Sequence, residues 1–251
     1  MEFSVLASGS SGNCFYVSDK KNGILVDAGI SCKQVCERLT SLGKDVSDIK
    51  GIFITHEHAD HLRGAEVLHK HFNIPIYGTH ETLENSGIKF KGIEKNDSVS
   101  IGNMKIESFS KNHKAANPVS YKIKEKKKTI SVITDLGFVC KNTQEAINHS
   151  DFLCLESNHD IKMLENGPYP FFLKKWIRSD IGHLSNTQAS LGVLEFAKPT
   201  LQTAVLAHLS ENNNNPAVAK KSFSSLIKER SDLKPKIFVA QHAELSPLFE
   251  I

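Results

Sequence analysis

Gly51-Ile52-Phe53-Ile54-Thr55-His56-Glu57-His58-Ala59-Asp60-His61 decides how the rest of the chain is read. Its first five residues are an apolar run, the pattern of a buried strand. Three His and one Asp follow within six residues. In extended chain His56 and His58 point to the same side, because side chains repeat every second residue. Asp60 and His61 come where the chain turns toward a helix expected near Gly64 to Phe72. Two ligand-type residues before a turn and two after it can face two adjacent metal ions. Imidazole with carboxylate suits zinc, with manganese or iron as alternatives. A His-rich surface loop is the competing reading, and for a single His it would win. Four ligand types at this spacing, at a strand end, outweigh it.

Working outward, the chain has 251 residues, 31 Lys plus Arg against 28 Asp plus Glu, and a formal net charge of +3. With 39% hydrophobic and 24% charged residues it reads as a globular chain able to bury a core without disulfides. No apolar run is long enough to span a bilayer. The opening residues lack a basic stretch followed by an apolar one, so no secretion signal is expected. The five Cys (Cys14, Cys32, Cys36, Cys140 and Cys154) form no C-x-x-C and are expected to be reduced and packed. The 12 His are the unusual count. Neither short polar stretch, Glu125 to Lys128 or Asn212 to Asn215, is long enough for a linker, so one domain is expected over residues 1–251.

Strands are expected at Phe3 to Ala7, Phe15 to Ser18, Ile24 to Asp27, Gly51 to Thr55, Ile74 to Tyr77, Met104 to Phe109, Val119 to Lys124, Thr129 to Thr134, Asp151 to Glu156, Thr203 to Ala207 and Lys236 to Ala240. Ser31 with Gln34 and Ser185 with Gln188 read as capping boxes that open helices, the first stopped by Gly43 and the second running to about Ala197. Pro170 to Ile177 and Pro216 to Arg230 are also expected to be helical. Hairpin-like strands followed by strands mixed with helices imply sheets packed together with helices outside.

H-x-H-x-D-H after an apolar strand resembles the signature of the metallo-β-lactamase superfamily. That resemblance implies an α+β (αβ/βα) four-layer sandwich: two mixed β-sheets with helices on the outer faces. It also implies three further ligands in order. His113 fits the first, Asp135 in Ile130-Ser131-Val132-Ile133-Thr134-Asp135 the second, and His208 after Ala204-Val205-Leu206-Ala207 the third. By analogy one metal takes His56, His58 and His113, the other takes Asp60, His61 and His208, and Asp135 bridges them.

The superfamily hosts several chemistries, so the branch must come from local features. Gly182-His183-Leu184-Ser185-Asn186 stands before a helix and resembles the Gly-His-Ser/Thr loop of phosphodiesterase-type members. His183 then assists at a scissile phosphate. Ser4-Val5-Leu6-Ala7-Ser8-Gly9-Ser10-Ser11-Gly12-Asn13, Glu156-Ser157-Asn158-His159-Asp160, Gly167-Pro168-Tyr169-Pro170 and His208-Leu209-Ser210-Glu211-Asn212-Asn213 look like the bacterial YycJ/WalJ-type branch. The implication is a cytoplasmic, metal-dependent exonuclease acting on DNA from 5′ to 3′ through a metal-bridging hydroxide that Asp60 orients. DNA stands ahead of RNA as partner, and no membrane is involved. Lys114 and Asn117 depart from the branch, replacing two acidic neighbours of His113. The room between motifs excludes a β-CASP insertion. The alternatives are a hydrolase of a small ester, thioester or lactam, and a non-catalytic metal-binding regulator. Lys174, Lys175 and Arg178 around Trp176 could touch a nucleic-acid backbone, but an amphipathic helix with Trp176 and Ile177 packed inside is the stronger reading. His69, His71, His80, His149, His159 and His242 carry no motif.

Overall fold

The computed structural model describes residues 1–88, 91–93, 98–242 and 244–251. Its strands are β1 Glu2–Ala7, β2 Cys14–Ser18, β3 Gly23–Val26, β4 Ile49–Phe53, β5 Ile76–Thr79, β6 Lys91–Ile93, β7 Ser98–Ile101, β8 Met104–Ser110, β9 Val119–Glu125, β10 Lys128–Ile133, β11 Phe152–Glu156, β12 Thr203–Ala207, β13 Lys236–Val239 and β14 Phe249–Glu250. The helices are α1 Cys32–Ser41, α2 Ala59–Leu62, α3 Ala65–Phe72, α4 His80–Ser86, α5 Lys141–His149, α6 Ile161–Asn166, α7 Phe171–Ile177, α8 Asn186–Phe196 and α9 Pro216–Ile227. The strands make two mixed sheets, as expected.

The chain divides into two compact units. The first comprises Met1–Ser110, Ala115–Lys128 and Ala243–Ile251. Its sheet runs β14-β1-β2-β3-β4-β5-β6. The β1-β2-β3 meander is antiparallel, and β3, β4 and β5 continue in parallel. Parallel strands read as near-continuous apolar runs because both faces are covered. Ile52 and Phe53 of β4 are accordingly buried, as is Ile54 just beyond it. α1 lays Val35 and Leu39 on a core that includes Leu6, Leu25, Ile52, Ile54, Leu68 and Ile76. The Ser31–Gln34 capping box is present and satisfies the first turn. Gly43 takes φ 69° just past that helix, the left-handed conformation that suits glycine after a C-terminus. The same unit carries the antiparallel strands β7, β8 and β9.

The second unit comprises Lys111–Lys114 and Thr129–His242. Strands β10, β11, β12 and β13 run parallel in that order. Phe152-Leu153-Cys154-Leu155-Glu156 is buried throughout, including its final carboxylate. α8 opens at Ser185 through the expected capping box with Gln188.

Several boundaries differ by one to three residues. The apolar Ile54-Thr55 pair leaves β4 early because Asp27 takes the Thr55 amide. Pro170 caps α7 instead of entering it. α4, β6, β7, α5, α6 and β14 carry no pattern that marked them in advance. None of the five Cys forms a disulfide; Cys14 and Cys154 are buried, and Cys32, Cys36 and Cys140 are half-buried. No helix among the described residues is long and apolar enough to cross a membrane.

Candidate metal centre

Each unit carries its own cluster of ligand-type residues at the ends of parallel strands. In the first unit β4 delivers Thr55 and His56, and α2 holds Asp60 and His61. His56 Nε2 lies 3.0 Å from His58 Nδ1, so the two rings present nitrogens to one point, although both lie past the end of β4. His61 is fully buried, with Nδ1 2.7 Å from Asp27 Oδ2. A carboxylate only accepts, so this ring nitrogen carries the proton and Nε2 keeps its lone pair. Nε2 lies 3.4 Å from Asp60 Oδ2 and 3.2 Å from Asn13 Nδ2. Asp27 also takes the Thr55 amide at 2.8 Å and the Thr55 hydroxyl at 2.9 Å. Thr55 Oγ1 in turn lies 2.9 Å from His56 Nδ1.

The backbone around this cluster is equally specific. The Asn13 amide donates to Asp60 O at 2.7 Å, and the Ala28 amide to His61 O at 2.8 Å. Gly29 lies so close that a Cβ on it would stand 1.6 Å from Asp60 O. The small-residue loop Gly9 to Asn13 thus serves as a wall against the ligand turn. Asn13 folds back on Gly9 through both its backbone groups.

In the second unit, one ligand oxygen or nitrogen from each of Asp135, Glu156, His183 and His208 lies within 4.8 Å of the others. Glu156 is the hub. Its Oε1 lies 2.8 Å from His183 Nδ1 and 2.8 Å from His208 Nδ1. Its Oε2 accepts the Leu136 and Leu184 amides, each at 3.1 Å. Burial alone would raise this carboxyl; the His183 and His208 imidazoles outweigh it and hold it at about 2. An ionised Glu156 accepts from both rings, so His208 also carries its proton on Nδ1. Its Nε2 then lies 3.4 Å from Asp135 Oδ1. His113 Nδ1 donates to Gly182 O at 3.2 Å, which leaves Nε2 at 3.9 Å from Asp135. Burial pushes the His113 pKa down to about 3, so the ring is neutral at physiological pH.

Asp27, Asp135 and His208 share a backbone feature. Their φ angles are 59°, 56° and 56°, in the left-handed region that residues with a Cβ rarely adopt. Each follows closely on the end of a strand.

Segments that mark the branch in the sequence prove to be the scaffold of this cluster. The Asn158 amide donates to Leu184 O and the Asn186 amide to His159 O, zipping Glu156–Asp160 to the His183 loop. Asn158 Nδ2 donates to His208 O at 3.0 Å. Asn214 Nδ2 donates to Ser157 O and Asn186 Oδ1, both at 2.8 Å. Ile177 is buried as expected, whereas Trp176 packs on histidines, edge-on to His183 at 5.5 Å and tilted to His113 at 6.4 Å. Lys114 is exposed, and Asn117 donates to Glu81 at 2.7 Å. His159 is buried and neutral, its pKa lowered to about 4 chiefly by burial.

The predicted residues therefore gather as His56, His58, Asp60 and His61 in one unit and His113, Asp135, His183 and His208 in the other. Sequence reasoning missed Asp27 and Glu156. Both end apolar strands, the same signal that singled out Asp135.

Residues 7–129 match the family model of the metallo-beta-lactamase superfamily. The chain is 35% identical over 238 residues to exodeoxyribonuclease YycJ of Bacillus anthracis, covering 92% of this chain and 90% of the relative. It is 35% identical over 225 residues to exodeoxyribonuclease WalJ of Streptococcus pneumoniae, covering 85% and 83%. Among solved structures, the metallo-beta-lactamase fold protein YhfI of Bacillus subtilis matches with TM-score 0.70 at 13% identity over 98% of both chains, a likeness of fold alone. Since the similarity extends far beyond the histidine segment and takes in both clusters, the chain belongs to the metallo-β-lactamase superfamily.

Proposed function

We propose that this protein is a metal-dependent phosphodiesterase that degrades DNA from a 5′ end as an exonuclease, acting in the cytoplasm from a single catalytic domain over residues 1–251. The observation that carries this reading is Glu156 shared between His183 and His208. It fixes an imidazole outside the expected ligand set beside one inside it. Hydrolysis of a small ester, thioester or lactam does not need that extra ring; a phosphodiester with a poor leaving oxygen does. The names of the two bacterial relatives support DNA as substrate.

The donor set fits two divalent ions. Every ring nitrogen engaged by Asp27, Glu156 or the Gly182 carbonyl is Nδ1, so His61, His208 and His113 each keep Nε2 for coordination. Such pairing of a ligand imidazole with a carboxylate or carbonyl fixes its tautomer and raises its basicity. His56, His58, Asp60, His61, His113, Asp135 and His208 would hold the ions. Zinc suits these donors best, with manganese or iron as alternatives. Bound there, the ions supply Lewis acidity and a nucleophile available at neutral pH.

The protein's own groups do the rest. Asp60, half-buried and touched by Asn13 Nδ2 at 3.3 Å, orients the attacking water. Asp27 locks His61 against rotation. In its imidazolium form His183 directs the Nε2 proton toward the phosphate and hands it to the departing oxygen, becoming neutral, while Glu156 stabilises the cation from which that proton leaves.

The test compares end-labelled duplex and single-stranded DNA, a phosphodiester dye and a chromogenic lactam, with metal content measured on the same samples. Single-nucleotide ladders and close to two transition-metal ions per chain are expected. Turnover of the lactam without the phosphodiester, or protein that takes up no metal, would reverse the reading.

A further inference from the structure

The helix next to His183 ends in a feature that folding does not explain. Phe171 and Phe172 open α7 and are 76% and 74% exposed. No other exposed large hydrophobic residue among the described ones exceeds 44%. Two adjacent phenyl rings in water forgo the burial that normally places Phe inside.

Their surroundings identify what would cover them. Residues 171–178 contain Lys174, Lys175 and Arg178 and no acid. Glu165 takes two of these cations: Lys174 donates to its carbonyl at 2.9 Å and Arg178 to its carboxylate at 3.0 Å. Lys175 is exposed, and it stands three and four residues after the two Phe, on their face of the helix. Phe172 and Trp176 are likewise four apart, and Trp176 contacts His183. One face of a short helix thus leads from two open rings, past one uncommitted ammonium, to the imidazole assigned to the leaving oxygen. The span is on the order of 10 Å, about three nucleotides at the ~3.4 Å rise of a stacked strand. A second copy seated on the same face would set Lys175 against its own counterpart. An anionic chain with flat, stackable rings meets both demands.

We propose that Phe171 and Phe172, with Lys175 beside them, form a platform on which unpaired bases of a DNA strand stack while the adjoining phosphate lies at His183. This rests on the nuclease reading and specifies how the strand is gripped. Aromatic stacking is indifferent to base identity, so the platform holds successive nucleotides without selecting sequence. The cation contributes a phosphate contact that salt weakens.

The test uses metal-loaded, full-length protein and a fluorescein-labelled phosphorothioate oligothymidylate of about 12 nucleotides, which resists cleavage. F171A/F172A should bind at least ~10-fold more weakly than wild type. F171W/F172W should restore the affinity. K175A should lower the slope of log Kd against log salt by about 0.7. Circular dichroism and metal content of F171A/F172A should match wild type, which separates loss of stacking from loss of fold. Binding within about twofold of wild type in F171A/F172A would overturn the platform. So would a wild-type dimer in sedimentation that this variant dissociates without any change in DNA affinity. In both cases wild type would still cleave end-labelled DNA; failure of the nuclease reading shows instead as wild-type protein that cleaves none.

Discussion

Replacing Glu156 by Gln tests the second cluster at its hub. The carboxylate accepts four hydrogen bonds, two from imidazoles at 2.8 Å and two from backbone amides at 3.1 Å. A carboxamide has one accepting end. Whichever way it is turned, its NH2 meets either two amide N–H groups or two ring N–H groups. At least two charge-assisted bonds are lost at a fully buried site. Breaking one side of a buried charged pair costs about 3 kcal/mol or more, which for a chain of this size lowers Tm by roughly 6 to 12 °C. The functional consequence is separate. If the amide N–H faces His208, the ring must accept at Nδ1 and protonate Nε2, the nitrogen needed for coordination. Metal affinity should then fall ~10- to 100-fold. Differential scanning calorimetry and a competitive chelator titration read the two effects independently. A Glu156→Gln protein that melts within about 1 °C of wild type and binds both metals with unchanged affinity would refute the hub.

Asp60→Ala should abolish turnover of a phosphodiester dye, whereas His183→Ala should slow it ~10²- to 10⁴-fold with metal content unchanged; metal loss in His183→Ala would show the residue is a ligand. Gly29→Ala should destabilise the protein by about 3 kcal/mol, read as a lower urea midpoint, because its Cβ would collide with Asp60 O; an unchanged midpoint would refute the close approach. Asp19 governs an acid limb of stability. Burial raises its carboxyl, but amide bonds from Asn103, Asn22 and Lys21 outweigh this and hold it at about 2. Its contribution is present above the unfolded value near 3.8 and is lost as pH falls toward 2, in total about 2 kcal/mol before solvent screening. Urea midpoints of wild type and Asp19→Asn should therefore converge between pH 4 and pH 2, and parallel curves would exclude the effect.

The His and Asp cluster was legible because metal coordination restricts residue type and because four such residues fall within six positions just after an apolar strand. His56 and His58 needed nothing more. The capping boxes at Ser31 and Ser185 were legible for a related reason: a cap is a local device, complete within four residues. Asp27 and Glu156 were not recognised, since their roles depend on partners 34 and 52 residues away. α4, α5 and α6 are short and half exposed, so their apolar stripes are too sparse to stand out. The amphipathic reading of Lys174 to Ile177 was right for Ile177. Trp176 is half-buried, and its packing partners are imidazoles that come together only in the folded chain.

The left-handed backbone at Asp27, Asp135 and His208 has a consequence for how this protein can change. Each such conformation costs on the order of 1 kcal/mol for a residue with a Cβ, and glycine would relieve it. At Asp27 and His208 that relief is outweighed, because Asp27 accepts three buried hydrogen bonds and His208 donates to the buried Glu156 carboxylate. A library screened only by melting temperature should therefore keep both residues, and glycine at either position should lower the melting temperature despite the relaxed backbone. Their retention in a thermostable descendant would record the hydrogen bonds they make as much as the chemistry they serve.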